Sequence, residues 1–345
     1  MGVSVQKQFI PSIANTVGTD FTKYKVVKKG QFTYIPDTSR RGDKIAIALL
    51  QDYEEGLVSN VYTVFEVIDE EKLLPEYLML WFSRPEFDRY ARFKSHGSVR
   101  EIMDWDEMCK VELPVPSIEK QRSIVKAYKA ITDRIELKRR INDNLEAAMR
   151  ALFEHFVVSN EAYDFDEAID DKIDFINGLA MQNYRPEKDE TPIPVIKIRE
   201  LSQGYCDENS EFCSNHIDKS HIIQNGDLVF SWSGSLQASF WTSQTAGLNQ
   251  HLFKVQSDEY PLWFVYEWVT FHLLNFQRIA ENKGTTFGHI KREDLHNAKI
   301  KSVGIDEINK LNNLFQPLLN TIIANSTELH SLMNYQRVLL ARLSR

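Results

Sequence analysis

The chain has 345 residues, 43% hydrophobic and 26% charged, which is the composition of a folded globular protein. At roughly 100–200 residues per domain, this length favours two domains. The sequence has no apolar run of about 20 residues and no signal peptide, and its three cysteines (Cys109, Cys206 and Cys213) argue against a disulfide framework. We therefore expect a soluble, cytoplasmic protein with reduced thiols. Its net charge of −8 argues against nucleic-acid binding by the whole surface, so the charge has to be examined locally.

The predicted elements near the N-terminus recur later in the chain. The segment KKGQFTY (28–34) resembles QNGDLVF (224–230), an offset of 196, and VSNVYTVFEV (58–67) resembles LNQHLFKV (248–255). In both copies a glycine precedes an alternating apolar run, which predicts a turn followed by a strand. We expect shared strands joined by loops of different length.

Helical segments follow the strands in each copy. A proline precedes an aromatic-rich helical run in LLPEYLMLWF (73–82) and again in EYPLWFVYEWV (259–269). Further on, HGSVREIMDWDEM (96–108) aligns with KGTTFGHIKREDL (283–295) at an offset of 187. This offset persists over about eighty residues, which indicates a duplication.

Each copy ends in a long helix with apolar residues at heptad spacing. The first heptad seam consists of Ile124, Tyr128, Ile131, Ile135, Lys138, Asn142, Leu145, Met149, Leu152 and Phe156. The second, 187 residues later, consists of Leu311, Phe315, Leu318, Ile322, Asn325, Leu329, Leu332, Gln336, Leu339 and Leu343. A core-facing amphipathic helix would explain one seam, but two in the same register favour a coiled coil. Pro317 predicts a kink or a late start of the second helix.

The predicted fold is α+β, with two tandem, repeat-related α/β domains separated by two long helices that form an antiparallel coiled coil. The domains are expected at 1–117 and 160–304, and the helices at 118–159 and 305–345. Ser117 is the expected N-cap of the first helix. The second domain has about sixty residues before its NGD turn, and the first has under thirty before KGQ. We therefore expect the first domain to lack its opening segment.

Basic and polar side chains mark the loops between repeated elements. Residues 22–44 include seven basic and two acidic residues. A solvated face explains a single charge run, but duplicated polar loops favour a binding surface. Arginine forks suit phosphates and guanine, and carboxamides suit adenine. The candidate DNA-binding residues are Thr38, Ser39, Arg40, Arg41, Lys44, His96, Gly97, Ser98, Arg100, Ser231, Trp232, Ser233, Asn249, Gln250, His251, Lys283, Gly284, Thr285, Thr286 and His289.

Catalytic motifs are weak in this sequence. Cys206, Cys213 and His216 lack the paired C-x-x-C spacing of a zinc site. Phosphate-loop, dinucleotide-binding and nucleophile-elbow motifs are absent from the sequence. Asp37 with Glu70 and Lys72 resembles a metal-dependent nuclease triplet, although helix N-terminal charge explains the last two better. We expect neither catalysis nor a bound metal or cofactor in this chain.

One segment resembles a known family. RPEFDRYARFKSHGSVREIMDWDEMCKVELPVPSIEKQRSIV (84–125), followed by NGDLVFSWSGSL and LNQHLFKV, resembles the DNA-specificity (S) subunit of type I restriction-modification systems. The similarity covers essentially the whole chain. It implies two target-recognition domains, each reading one half of a split DNA site and held apart by paired helices. It also implies that the loops at 96–100, 231–234 and 283–286 approach DNA.

The same resemblance implies partners. The helices would dock methyltransferase (M) subunits, which bring S-adenosylmethionine and the adenine-methylating residues. Through these the complex would hold restriction (R) subunits, which use ATP and Mg. Two other classes stay open from the residues alone: a duplicated protein-interaction adaptor with coiled-coil dimerisation and no DNA role, and a standalone nuclease.

Overall fold

A computed structural model describes residues 1–12, 18–97, 101–282 and 288–343 of the chain. The chain divides into two compact units: unit 1 comprises Met1–Arg134 with Asn334–Arg345, and unit 2 comprises Ile135–Met333. Each of the two long helices therefore contributes to both units. The domain boundaries expected at the helix ends stay a prediction.

Unit 1 combines small antiparallel sheets with short helices. Its elements are β1 (Gly2–Val3), β2 (Phe9–Ile10), β3 (Lys25–Lys28), β4 (Phe32–Ile35), β5 (Ala46–Leu49), β6 (Glu55–Val58), β7 (Thr63–Phe65), α1 (Pro75–Phe82), α2 (Pro85–Lys94), α3 (Trp105–Cys109) and the first part of α4 (Ile118–Phe153). The described strands form the sheets β1-β2, β3-β6 and β5-β4-β7.

The core of unit 1 lies between the sheet β5-β4-β7 and the helices α1 and α2. Phe32 of β4 stacks on Phe65 of β7 with ring centroids 5.0 Å apart, and it meets Phe82 of α1 edge-on at 5.8 Å. The helices begin at Pro75 and Pro85, because a fixed φ and a missing N–H suit the first helical position. This packing fixes the ends of β4 and β7, where the candidate loops emerge.

Unit 2 combines four-stranded sheets with a long aromatic helix. Its elements are β8 (Phe165–Ala168), α5 (Ile169–Lys172), β9 (Asp174–Asn177), β10 (Ile193–Ile196), α6 (Ile198–Gln203), β11 (Phe212–Cys213), β12 (Ile222–Ile223), β13 (Leu228–Ser231), β14 (Ala238–Phe240), β15 (Ala246–Leu248), β16 (Leu252–Gln256), α7 (Leu262–Asn282), α8 (Arg292–His296), β17 (Lys299–Lys301) and α9 (Ile305–Arg342). The described sheets are β11-β10-β15-β12, β14-β13-β16-β9 and β17-β8, and only the pair β10–β15 within them is parallel.

The core of unit 2 joins α7 to both long helices. Trp263 of α7 stacks on Phe315 of α9 at 4.2 Å between ring centroids, and Trp268 meets Phe153 of α4 edge-on at 5.0 Å. The indole of Trp263 also donates to Asn312 Oδ1 at 2.9 Å. Burial of these large rings is the main stabilising contribution here, at about 25 cal/mol per Å² of apolar surface.

Residues at all twenty predicted seam positions of α4 and α9 are buried or half-buried. In unit 2, Lys138 Nζ donates to Asn325 Oδ1 at 2.6 Å, and Asn325 Nδ2 donates to Asn142 Oδ1 at 2.9 Å. Asn142 Nδ2 donates in turn to Ser326 Oγ at 3.0 Å, and Lys138 pairs with Glu328 at 2.7 Å. These residues form a hydrogen-bonded polar layer between apolar seam residues.

Contacts also join the parts of α4 and α9 that belong to unit 1. Gln336 Nε2 donates to Thr132 Oγ1 at 2.9 Å, and Leu340 packs in one cluster with Ile124 and Tyr128. Within each unit, the partner on α9 moves toward the N-terminus as the position on α4 moves toward the C-terminus.

The long helices begin where the sequence predicts. Ser117 Oγ accepts a hydrogen bond from Lys120 N at 3.4 Å, so the predicted N-cap of α4 is confirmed. Of the two effects expected of Pro317, a late start is wrong: α9 begins at Ile305 and contains the proline. The fully buried Phe315 and Leu319 on either side pack into the core and hold the helix together across the missing N–H.

The predicted class is confirmed at the level of a mixed helix-and-strand fold with a long helix from 118, which continues as a π-helical turn over Glu154–Val158. Both ends of α3 and α8 lie 187 residues apart, and both ends of β4 and β13 lie 196 apart. The sheet β5-β4-β7 thus has counterparts in β14-β13-β16, to which unit 2 adds β9. No helix among the described residues is long and apolar enough to cross a membrane.

Candidate nucleic-acid interface

Two predicted loops of unit 2 meet at one edge of its sheet. Since β13 and β16 are antiparallel, the loop after β13 and the turn before β16 emerge side by side. Ser233 Oγ lies 3.1 Å from His251 Nδ1, within hydrogen-bonding distance, and Trp232 N donates to His251 O at 3.4 Å. The rings of Trp232 and His251 are 5.9 Å apart.

A third predicted loop joins them through His289. Ser233 and His289 form an isolated antiparallel bridge, and Ile290 N donates to Trp232 O at 3.0 Å. The His289 ring lies edge-on to Trp232 at 6.5 Å. The structure therefore gathers residues from three separate segments, which we call the unit 2 cluster: Trp232, Ser233, Asn249, Gln250, His251 and His289.

Members of this cluster differ in burial, which separates positioning residues from those that face solvent. Asn249 is buried, and its Oδ1 accepts from His251 N at 3.3 Å. The neighbouring Ser231 is fully buried, and its Oγ accepts from Gln237 N at 3.0 Å. Gln250 and His251 are exposed. The buried groups shape the turns, and the exposed carboxamide and imidazole are available to a ligand.

In unit 1, the turn around Thr38 meets the segment after His96. Thr38 is fully buried, its N donates to Glu101 O at 3.1 Å, and its Oγ1 donates to Ser95 Oγ at 2.8 Å. Ser39 Oγ accepts from Glu101 N at 3.4 Å. These bonds fix the predicted loops against each other, with Thr38 acting through its neighbours.

His96 is exposed beside this junction. Its backbone exchanges two hydrogen bonds of 3.0 Å with Ile102, which closes the loop that begins at Gly97. Gly97 has a φ of 136°, a conformation that favours glycine. The exposed imidazole is therefore held at a loop whose ends are fixed.

The predicted cations of unit 1 have no internal partner among the described residues. The side chains of Arg40, Arg41 and Lys44 make no hydrogen bond or ion pair there, and the buried Arg41 Nε lacks an acceptor. By contrast, Arg92 is neutralised by Asp43 at 2.7 Å and by Glu101 at 2.6 Å. Three positive charges beside one turn can therefore contact phosphate oxygens without breaking an existing ion pair.

The junction between loops is built in the same way in both units. Met103 N donates to Pro36 O at 2.9 Å, as Ile290 N does to Trp232 O. Thr38 N donates to Glu101 O, and Gly234 N donates to Gly288 O at 2.8 Å. Donors and acceptors in each pair are related by the offsets of 187 and 196 that the sequence predicts. Sequence reasoning missed the role of 101–103, although these offsets were the signal that could have identified it.

Six predicted site residues lie outside the described residues: Ser98, Arg100, Lys283, Gly284, Thr285 and Thr286. The remaining candidates fall into the two loop junctions described above.

The weak catalytic candidates are not assembled in the described residues. Cys206 and Cys213 are free and buried, and burial raises the pKa of the Cys206 thiol to about 12, which disfavours the metal-binding thiolate. Lys72 pairs with Asp69 at 2.7 Å, while Asp37 bonds to Arg40 N at 3.4 Å. The one described group spaced to hold a metal is an unpredicted surface trio, Asp170, Asp171 and His296.

Comparison with known proteins identifies the family. Residues 4–147 match the family model of the type I restriction modification DNA specificity domain. The chain is 24% identical over 305 residues to the type I restriction enzyme MjaIX specificity subunit of Methanocaldococcus jannaschii, covering 80% of this chain and 70% of that one. It is 28% identical over 144 residues to the HindI specificity subunit of Haemophilus influenzae, covering 41% of this chain and 30% of that one.

The fold points in the same direction. The crystal structure of a type I restriction-modification S subunit from M. genitalium aligns with a TM-score of 0.56 at 12% identity, covering 92% of this chain and 83% of that one. With a family model matched over residues 4–147, curated relatives and a shared fold, the chain belongs to the family of type I restriction-modification DNA specificity subunits.

Proposed function

We propose that this chain is the sequence-specific DNA-binding subunit of a type I restriction-modification complex and recognises a bipartite DNA site. The observation that carries this proposal is the loop junction built twice, with the same backbone hydrogen bonds at the same offsets. Loops on a repeated scaffold suit a protein that presents two different reading surfaces. Each recognition domain then reads one half of the site.

The chemistry of the two junctions supports DNA as the ligand. Unit 1 offers the unpaired cations Arg40, Arg41 and Lys44 to phosphates, and unit 2 offers a carboxamide and imidazoles that match base edges. Phosphate contacts supply most non-specific affinity, and a net charge of −8 limits what this chain supplies alone. We expect weak binding by the isolated subunit and tight binding by the complex.

The long helices are the proposed spacer and partner-binding element. The burial of both heptad seams and the reversed order of contacts along α4 and α9 support an antiparallel coiled coil. The 36 residues of α4 extend about 54 Å. In this proposal the paired helices set the separation of the half-sites, at about one helical turn of DNA or roughly 34 Å.

The chemistry of the complex is assigned to its partners. M subunits supply S-adenosylmethionine and adenine methylation, and R subunits supply ATP-driven, Mg-dependent restriction. This chain is the non-catalytic subunit and binds none of these cofactors in the proposal. Its own residues position DNA.

The test combines target mapping with binding. Methylated adenines are mapped in cells with and without the gene, which identifies both half-sites. Purified complex with M subunits is then assayed by mobility shift on DNA with the native spacer and on DNA with the spacer altered by two base pairs. We expect a large loss of affinity on the altered spacer and a negative dependence of log K on log salt. Equal affinity for both spacers, or a salt dependence near zero, would contradict the proposal.

A further inference from the structure

We infer that the base preference of each half-site is set at the tip of one two-residue turn: Gln250–His251 in unit 2 and Asn60–Val61 in unit 1. This inference rests on the proposed function and deepens it. Asn60 and Val61 belong to no motif that the sequence singles out. They emerge only from a comparison of hydrogen bonds between the two units.

The same turn occurs before the equivalent strand in each unit. Leu252 N donates to Asn249 O at 3.0 Å, and Tyr62 N donates to Ser59 O at 3.2 Å. Donor and acceptor are both displaced by 190 residues between the units, and the strand pairing of β7 and β16 shows the same displacement. The two turns therefore occupy corresponding places at the edge of corresponding sheets.

Side chains at each tip face solvent, while the residues on either side are more enclosed. Gln250 and His251 are exposed between two buried residues. In unit 1, Asn60 is exposed and Val61 is 58% exposed, although valine is usually buried, and both flanking residues are half-buried. A tip with fixed flanks and outward side chains is suited to reach base edges in a groove.

The unit 2 tip is held rigidly. Gln250 N donates to Leu179 O at 2.9 Å, and the contact of Ser233 with His251 Nδ1 fixes the imidazole. Gly178 lies so close to this turn that a Cβ there would meet Asn249 O at 2.2 Å. A preorganised carboxamide can donate to and accept from adenine, and His251 Nε2 remains on the open side.

The unit 1 tip has different chemistry on the same backbone. Position 36 corresponds to Trp232 but is a proline, and therefore has no N–H to donate to Val61 O. The tip carries the Asn60 carboxamide and an isopropyl group, which suits the thymine methyl group. We therefore infer that the two half-sites differ, with a polar pair read by unit 2 and a thymine-containing step read by unit 1.

The experiment uses the intact complex of this chain with its M subunits. Binding is measured on duplexes in which each base pair of the two mapped half-sites is varied in turn. Gln250→Ala and His251→Ala are expected to reduce discrimination roughly 5- to 100-fold at one or two base pairs of one half-site. Asn60→Ala and Val61→Ala are expected to do the same in the other half-site only.

Matched controls separate recognition from general effects. Gln244→Ala removes another exposed carboxamide of unit 2, and Val26→Ala removes another exposed valine of unit 1. Both are expected to leave discrimination unchanged. If the tip variants discriminate as the wild type does while the complex still prefers its mapped site, this inference is overturned and the proposed function stands. If the wild-type complex shows no preference for any site, the proposed function itself fails.

Discussion

Ser233 and His251 lie eighteen residues apart in the chain, yet Ser233 Oγ lies 3.1 Å from His251 Nδ1. The contact joins the loop after β13 to the turn before β16. It also determines which imidazole nitrogen is left to face outward, since a hydrogen bond to Nδ1 leaves Nε2 free.

Ser233→Ala tests whether this contact positions the imidazole. We expect discrimination at the unit 2 half-site to fall about 3- to 10-fold, since His251 loses its fixed orientation, with a stability change of about 1 kcal/mol or less. Binding to single-base variants of the half-site and urea unfolding measure the two effects. Ser243→Ala is the control. A drop in discrimination at the unit 1 half-site instead would contradict this assignment.

Removing the unpaired cations of unit 1 should weaken binding without changing sequence preference. For Arg40→Ala, Arg41→Ala and Lys44→Ala, we expect the slope of log K against log salt to become less negative by about 0.9 for each phosphate that the variant no longer neutralises. A salt titration of binding by the complex measures it. Lys29→Ala is the matched control, because Lys29 already pairs with Glu54 at 2.7 Å. An unchanged slope in all three variants would exclude these residues from the interface.

Thr38 is predicted to be important for stability rather than for direct readout. Thr38→Val keeps its shape but removes the hydroxyl bonded to Ser95 Oγ, which should lower the free energy of unfolding by about 1–2 kcal/mol. Ser39→Ala, at a longer and more exposed hydrogen bond, should cost less. Urea unfolding compares them. If Thr38→Val instead alters base preference at full stability, Thr38 contacts DNA directly.

The polar layer between α4 and α9 should show strong coupling. Asn142→Leu or Asn325→Leu alone leaves a buried amide without its partner and should cost about 1–3 kcal/mol. The double variant should cost less than the sum of the single costs, because both buried amides are removed together. A double-mutant cycle by chemical unfolding measures this coupling. Strict additivity would show that the two amides do not depend on each other.

Glu267 makes stability depend on pH. Its burial in α7 raises the pKa of this carboxyl to about 8, with Arg150 opposing the shift and Glu146 adding to it. The folded protein thus keeps a proton that the unfolded chain releases above its ordinary value of 4.5, so this group lowers stability as pH rises from 4.5 to 8. We expect Glu267→Gln to raise Tm at pH 8 by more than at pH 5. An equal shift at both pH values would show that the carboxyl is already ionised in the fold.

The helical part of the fold was predictable from sequence because its spacing is constant. The offset of 187 runs unbroken from α3 and α8 into α4 and α9, so Ile118 and Ile305 begin helices at the expected places. Seam burial followed from heptad periodicity. The effect of Pro317 was harder to predict, because packing of Phe315 and Leu319 outweighs one missing hydrogen bond.

The candidate site was only partly predictable. Loop lengths differ between copies, so the offset changes from 196 to 190 to 187, and Asn60 and Val61 were not recognised as equivalents of Gln250 and His251. Asn249 looked like a reader of bases, but tertiary contacts with a distant strand bury it. Burial of that kind depends on neighbours far away in sequence, so local residue type cannot reveal it.

The junctions in both units are closed by main-chain N–H and C=O groups, such as Met103 N to Pro36 O and Ile290 N to Trp232 O. Amides and carbonyls are present whatever the side chain, apart from the missing N–H of proline. Mutation at the exposed tips can therefore create new target words while the supporting architecture persists, and such diversification would fall on recognition rather than on folding.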